Sequence, residues 1–234
     1  MKLKYLIAEE LERKGINFIH TFDGLIELLQ LRCSEALEHS AKIKKYLYRG
    51  FNINYPTDYG FKVDPSQRER KSRSGYNYHT LLMDNLPEWS RFPKRSKSLI
   101  CSTDQATAAG FAHSNFIVFP YDGAKFGICP KRDLQYSFKK FSSLADFEIR
   151  LQSAYANFNI ETYQELIKVL EDSNNLEVIR DLLKPIANDF KIGYYHQLPF
   201  GRDQEVWAES KCVLVENQWW LNNEDEIYKK LVTT

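Results

Sequence analysis

The chain has 234 residues, 43% hydrophobic and 14% aromatic, with a formal net charge of +1. That length holds one large domain or two small ones, and that composition excludes an intrinsically disordered chain. The near-neutral balance excludes a global field that would draw the molecule to nucleic acid or an anionic membrane, so any basic surface must be local.

Cys33, Cys101, Cys129 and Cys212 are scattered, with no CxxC pair and no Cys/His spacing that fits zinc. Three of them sit in apolar runs. Buried, reduced thiols in a reducing cytoplasm are expected, and no metal. The first fifteen residues are too charged for a signal peptide, and no apolar run approaches membrane-spanning length, so no membrane partner is expected.

In chain order, residues 3–13 carry Leu3, Leu6, Ile7 and Leu11 at helical spacing, with Gly15 as a stop. A longer helical region follows over about 22–45, striped by Leu25, Leu28, Leu29, Cys33, Ala36, Leu37 and Ile43. His20 and His39 share no spacing with a partner and read as surface or packing residues. Tyr46 to Gly50 is a short aromatic strand ending Arg49-Gly50. An arginine there offers a planar fork suited to phosphate, and the glycine lets a ligand touch the backbone. Taken alone, it is also an ordinary surface arginine before a turn.

Residues 52–78 read as a long excursion broken by Pro56, Gly60, Pro65 and Gly75. It holds a basic run, 68–73, and a second cluster follows at 91–97. Each is a solvated loop or a phosphate contact. A short helix is predicted over 80–84. Residues 98–103 form an apolar strand that ends in Ser102 and Thr103, and Asp104 or Thr103 caps a small-residue helix over 105–112. Residues 115–120 and 125–130 are apolar runs joined by Tyr121-Asp122-Gly123, a hairpin signal. Residues 144–190 return to helix, with one stripe of Phe147, Leu151 and Tyr155, and a last segment that opens at Asn174 and stops before Pro185. Asp203 and Glu205 then share one side of an extended segment that runs into Val206-Trp207 and the apolar run 212–215. Trp219-Trp220-Leu221 reads as a core strand, followed by an exposed polar stretch, 222–226.

Three of these segments matter together: Tyr48-Arg49-Gly50, Leu99-Ile100-Cys101-Ser102-Thr103 and Asp203-Gln204-Glu205-Val206-Trp207. In that order they resemble the Arg-Ser-Glu class of mono-ADP-ribosyltransferases, found among bacterial toxins and T-even-like phage enzymes. The resemblance runs from Tyr46 to about Val215 and leaves the N-terminal helices and the block 144–190 unexplained. It departs from the family in having Asp-x-Glu where arginine-modifying members have Glu-x-Glu, and Ser102-Thr103-Asp104 where Ser-Thr-Ser is usual. Glu209 is a second candidate for the catalytic acid.

The resemblance implies an α+β fold, an ADP-ribosyltransferase-like split β-sandwich. An N-terminal helical region (1–45) would pack on a catalytic domain (46–234) carrying a helical insertion at about 144–190. It implies NAD as co-substrate and transfer of ADP-ribose to a macromolecule, a protein side chain such as arginine, inside a cytoplasm that would be the host's if the gene is phage-borne. Glu205, Asp203, Ser102 and Arg49 would be catalytic. Arg49 would clamp the diphosphate, Gly50 would hydrogen-bond nicotinamide, Ser102 and Thr103 would line its pocket, and Phe111 or Tyr78 would stack on it. Asp203 would engage the acceptor, and the loop 194–202, with Tyr195, His196 and Phe200, would recognise the target. The alternatives are an NAD glycohydrolase or a nucleic-acid-modifying transferase on the same fold, or a non-catalytic nucleic-acid-binding protein using the basic residues 68–97.

Overall fold

The computed structural model describes residues 15–52, 59–67, 70, 78–139, 162–172 and 176–233. The helix expected over 3–13, the stripe of Phe147, Leu151 and Tyr155, and all of the basic run 68–73 but Arg70 lie outside the described residues.

The N-terminal region opens with a strand, β1 (Ile16–Ile19), then α1 (Phe22–Arg32) and α2 (Ser34–Ile43). The helical region read over about 22–45 is two helices, because Cys33 leaves the helical conformation with ψ at 26° and turns its thiol to the carbonyl of Phe119, 3.6 Å away. Thr21 caps α1 through a bond from the Gly24 amide. Then come β2 (Leu47–Phe51), β3 (Gly60–Val63), α3 (Tyr78–Asn85), β4 (Leu99–Ser102) and α4 (Gln105–Ala109). β5 (Ser114–Pro120), β6 (Phe126–Ile128) and α5 (Leu134–Lys139) follow. The rest is α6 (Tyr163–Asp172), α7 (Leu176–Asp189), β7 (Lys191–Gly193), β8 (Glu205–Ala208), β9 (Cys212–Glu216) and α8 (Asn217–Thr233).

Among the described residues nine strands join one sheet in the order β1-β3-β9-β5-β2-β4-β8-β6-β7, and neighbouring strands are antiparallel. Two cores fill it. In the first, Leu47, Phe61, Val118 and Val213 of the sheet meet Leu25 and Leu29 of α1, Leu37 of α2, and Trp220 and Ile227 of α8. In the second, Ile100 of β4 and Trp207 of β8 meet Trp89, Phe92 and Phe190, with Leu82 from α3, Leu166 from α6 and Ile186 from α7. The inserted helices therefore cover the sheet where β4 and β8 cross it.

The hairpin at 121–123 does not form: β5 pairs with β2 and β9, and β6 pairs with β7 and β8. The turn itself is real, with Gly123 at φ 74°. Asp122, however, binds the Ser34 hydroxyl and the Glu35 amide, each at 2.9 Å, so the turn is anchored to the start of α2 and the strands part. Trp219 to Leu221 are helix, not strand, because Trp220, buried in the first core, shares a helical face with Ile227, also buried there. The polar stretch 222–226 belongs to the same helix. Residues 1–45 are not wholly helical, since β1 extends the sheet through β3, a strand hidden in the supposed excursion. α7 runs through Pro185 to Asp189 rather than stopping before it.

Candidate functional site

β2, β4 and β8 lie side by side, and their registers align three side chains. Tyr48 is opposite Ser102, and Ser102 is opposite Glu205. Directly paired residues of an antiparallel ladder share a face, so Tyr48, Ser102 and Glu205 form one row across the sheet. The Thr103 amide bonds the Gln204 carbonyl at 3.0 Å, and the Cys129 amide bonds the Glu205 carbonyl at 3.0 Å. Backbone groups alternate sides along a strand, so Ser102 and Glu205 are a non-hydrogen-bonded pair, the kind whose side chains stand closest.

The same alternation turns the backbone groups of Ser102 and Ile100 toward β2. β2 and β4 share only the Tyr48–Ser102 pair. Beyond it, where a continued ladder would bring Gly50 to Ile100, the Arg49 guanidinium takes the Ile100 carbonyl instead, with Nη1 at 2.8 Å. Arg49 thus closes the seam between the strands, and the Gly50 amide and carbonyl face that seam. The sequence reading leaves the Gly50 backbone open to a ligand, but α4 covers one side of it. A Cβ on Gly50 would stand 3.2 Å from the Ala112 Cβ and closer still to the Ala108 carbonyl. Gly50 is required by α4 lying on β2, which leaves the strand's edge, not its face, for a ligand.

Burial pushes the Cys101 thiol up to about 12, with the Arg49 charge pulling it down and the Glu205 charge pushing it up. Both expected site charges therefore act on this one buried thiol. Ser102 accepts the Asp104 amide at 3.0 Å, and Asp104 caps α4 by accepting the Thr107 amide at 2.8 Å. Of the two caps expected, Asp104 is the one used. Thr103 turns away from the row, its hydroxyl on the Arg202 carbonyl and accepting the Gln204 amide at 3.1 Å. It ties the loop before β8 to β4 rather than lining an opening. Phe111, 61% exposed, follows α4 beside Ala112 and so stands near Gly50. The Tyr78 side chain lies outside the described residues.

Asp203 and Glu205 are not on one regular strand, because β8 begins at Glu205. Each acid has its own arginine. Asp203 Oδ2 meets Arg132 Nε at 2.8 Å, both side chains part-exposed. Glu205 Oε1 meets Arg95 Nη1 at 2.6 Å, with side-chain exposures of 17% and 6%. Cys129 Sγ approaches the same Oε1 at 3.8 Å. Glu209 lies past the far end of β8, where Ala208 pairs with Leu99, and accepts the Lys94 amide at 3.3 Å. It is the other end of β4 from Ser102.

In the sequence Arg95 is only one charge of a basic cluster, and no spacing marks it. Its segment is fastened down. Asp84 of α3 accepts the Arg95 and Ser96 amides at 2.6 and 2.9 Å, and Trp207 Nε1 donates to the Pro93 carbonyl at 2.9 Å. The guanidinium lies 5.8 Å from the Trp207 ring centre. The cluster 91–97 therefore turns its central cation inward. In the loop 194–202, Tyr195 is also no surface residue: it is buried, with its hydroxyl 2.9 Å from Ser40 Oγ. Phe200 packs against it, at 5.3 Å between ring centres, while Tyr194 and His196 are the exposed pair.

The four cysteines are free and buried. Among the described residues no group of three metal-ligating side chains occurs, and no helix is long and apolar enough to cross a membrane. Comparison with protein-family models, curated proteins and solved structures returns no match for this chain.

Proposed function

We propose that this protein is an NAD-dependent mono-ADP-ribosyltransferase that moves ADP-ribose to a macromolecular acceptor, with an arginine side chain as the favoured acceptor group. One observation carries the reading: Tyr48, Ser102 and Glu205 stand in one row across three adjacent strands, with Arg49 and the Gly50 edge at the adjoining seam. A sheet joined there by a single pair fits a split β-sandwich that divides between β2 and β4.

The reaction breaks the bond between ribose C1′ and the nicotinamide nitrogen. Nicotinamide leaves with the electron pair, and C1′ acquires oxocarbenium character. Arg49 supplies positive charge for the diphosphate. The Gly50 amide and carbonyl are disposed to hold a carboxamide, as a neighbouring strand would. Glu205, ionised, takes the ribose 2′-hydroxyl and offsets the developing charge, and Ser102 stands against it across the narrow pair. The acceptor nitrogen then bonds C1′ and gives up a proton, for which Asp203 is the nearby base. Asp203 already holds a guanidinium, that of Arg132, which favours arginine as the acceptor.

The test is incubation with NAD labelled in the adenylate phosphate, alone and with a cell lysate. Label on a lysate protein, released by chemistry specific for ADP-ribosyl-arginine, is the expected result. Nicotinamide release with no labelled macromolecule would make the protein a glycohydrolase. Label on nucleic acid would replace the acceptor class. No consumption of NAD in either arm would overturn the proposal.

A further inference from the structure

Resting on the transferase reading, we infer that Arg95 is a positioning residue for Glu205, a further member of the site supplied by the segment between α3 and β4. Both polar contacts of the Glu205 carboxylate fall on one oxygen: Arg95 Nη1 at 2.6 Å and Cys129 Sγ at 3.8 Å both meet Oε1. Oε2 has no partner among the described residues. A carboxylate held by one oxygen presents the other in a fixed direction, as a group that must meet a ribose hydroxyl requires.

The surroundings show that Arg95 is placed rather than merely accommodated. Its side chain is 6% exposed, and its backbone is fixed by Asp84 on the adjoining helix. Its guanidinium lies near the ring of Trp207, two residues after Glu205 on the same face of β8. Its Nε is buried and has no acceptor among the described residues, so the group is not disposed to satisfy all its own donors. A buried arginine–carboxylate pair is seldom the most stable way to fill such a space, and apolar residues of similar volume commonly do as well or better. What the pair adds is one direction for the carboxylate. Bound at Oε1, Arg95 also holds Glu205 in place while substrate is absent. The inserted helices enter the same account: α3 provides Asp84, and α6 and α7 pack on the core that carries Trp207.

The experiment measures kcat and KM for nicotinamide release from NAD by the full chain, with a melting curve for each variant. Arg95→Met is expected to lower kcat about 100-fold while KM for NAD moves less than about threefold, as for a displaced acid rather than a lost binding group. Arg95→Lys keeps the charge but not the fork, and is expected to recover part of the loss, ending about tenfold below wild type. In a Glu205→Gln background, Arg95→Met should cost no more than about twofold further, because the residue acts through the missing carboxylate. Arg95→Met that melts like wild type and turns over within threefold of it, or faster, overturns the inference. So does an undiminished further loss in the Glu205→Gln background. If Arg95→Met melts below the assay temperature, Arg95→Lys decides alone, and activity within twofold of wild type overturns the inference. A wild-type protein that releases no nicotinamide removes the transferase reading and this inference with it. An active wild type with an indifferent Arg95 removes only the inference.

Discussion

Gly127 lies opposite Trp207 in the β6–β8 ladder, and the indole covers it. A Cβ added at Gly127 would stand 2.7 Å from the ring's Cη2, and closer to Cε2 and Cζ2. Ordinary carbon contacts begin near about 3.5 Å, so the ring must move by about 1 Å. It has nowhere to go: Trp207 is fully buried between Phe92 and Phe190, and its Nε1 is bonded to the Pro93 carbonyl. Overpacking of this kind costs about 1–3 kcal/mol, and straining the buried indole bond adds about 1 kcal/mol or more. Gly127→Ala should therefore destabilise the protein by about 3 kcal/mol, a fall of about 6–12 °C in Tm for a chain of this size. Thermal unfolding followed by tryptophan emission measures it. Because Trp207 also lies by Arg95, the surviving folded protein should lose nicotinamide-release activity. A variant that melts within about 2 °C of wild type would refute this account of the β6–β8 packing.

His79 of α3 packs at a tilt against Phe138, at 4.5 Å between ring centres, and burial, helped by the Arg95 charge, pushes its imidazole down to about 3. The imidazole is neutral in the fold, so below pH 6.5 the unfolded chain takes up a proton the folded one does not. Stability should fall as pH drops from about 6.5 toward 3, by up to about 1.4 kcal/mol per pH unit, and denaturant titrations of His79→Gln should lack that part of the slope. Equal slopes would mean that His79 protonates in place. Asp104→Ala removes the α4 cap and should cost about 1 kcal/mol by chemical denaturation. An unchanged midpoint would mean that the bond to the Thr107 amide contributes nothing. Arg132→Ala opens Asp203 to an external guanidinium, and the half-saturating concentration of a small guanidinium acceptor should fall about two- to fivefold, the range of a part-exposed ion pair. A rise would mean that Asp203 is not the acceptor's partner.

The strands that meet at the site were legible because their signals are local. Tyr48-Arg49-Gly50 and Leu99 to Ser102 are short apolar runs with polar ends, and Asp104 before small residues is a cap wherever it lies. Pairing was not legible. Asp122-Gly123 is a turn in either environment, and only the Ser34 and Glu35 groups that Asp122 binds, nearly ninety positions back, decide that β5 and β6 part. Trp219 to Leu221 looked like a strand because three large apolar residues in a row carry no period. The signal that could have corrected it was Trp220 to Ile227, seven apart. Arg95 had no signal at all, since its partner is 110 positions away and it sits among Arg91, Lys94 and Lys97, other cations of the same cluster.

If Glu205, set against Ser102, breaks the nicotinamide–ribose bond of NAD, its loss must show in the rate of nicotinamide release by wild type and Glu205→Gln, with NAD affinity taken by calorimetry on both. The variant is expected to bind NAD within a few-fold of wild type and to release nicotinamide about 100- to 1000-fold more slowly. Equal rates, or a wild-type protein that neither binds nor cleaves NAD, would contradict it.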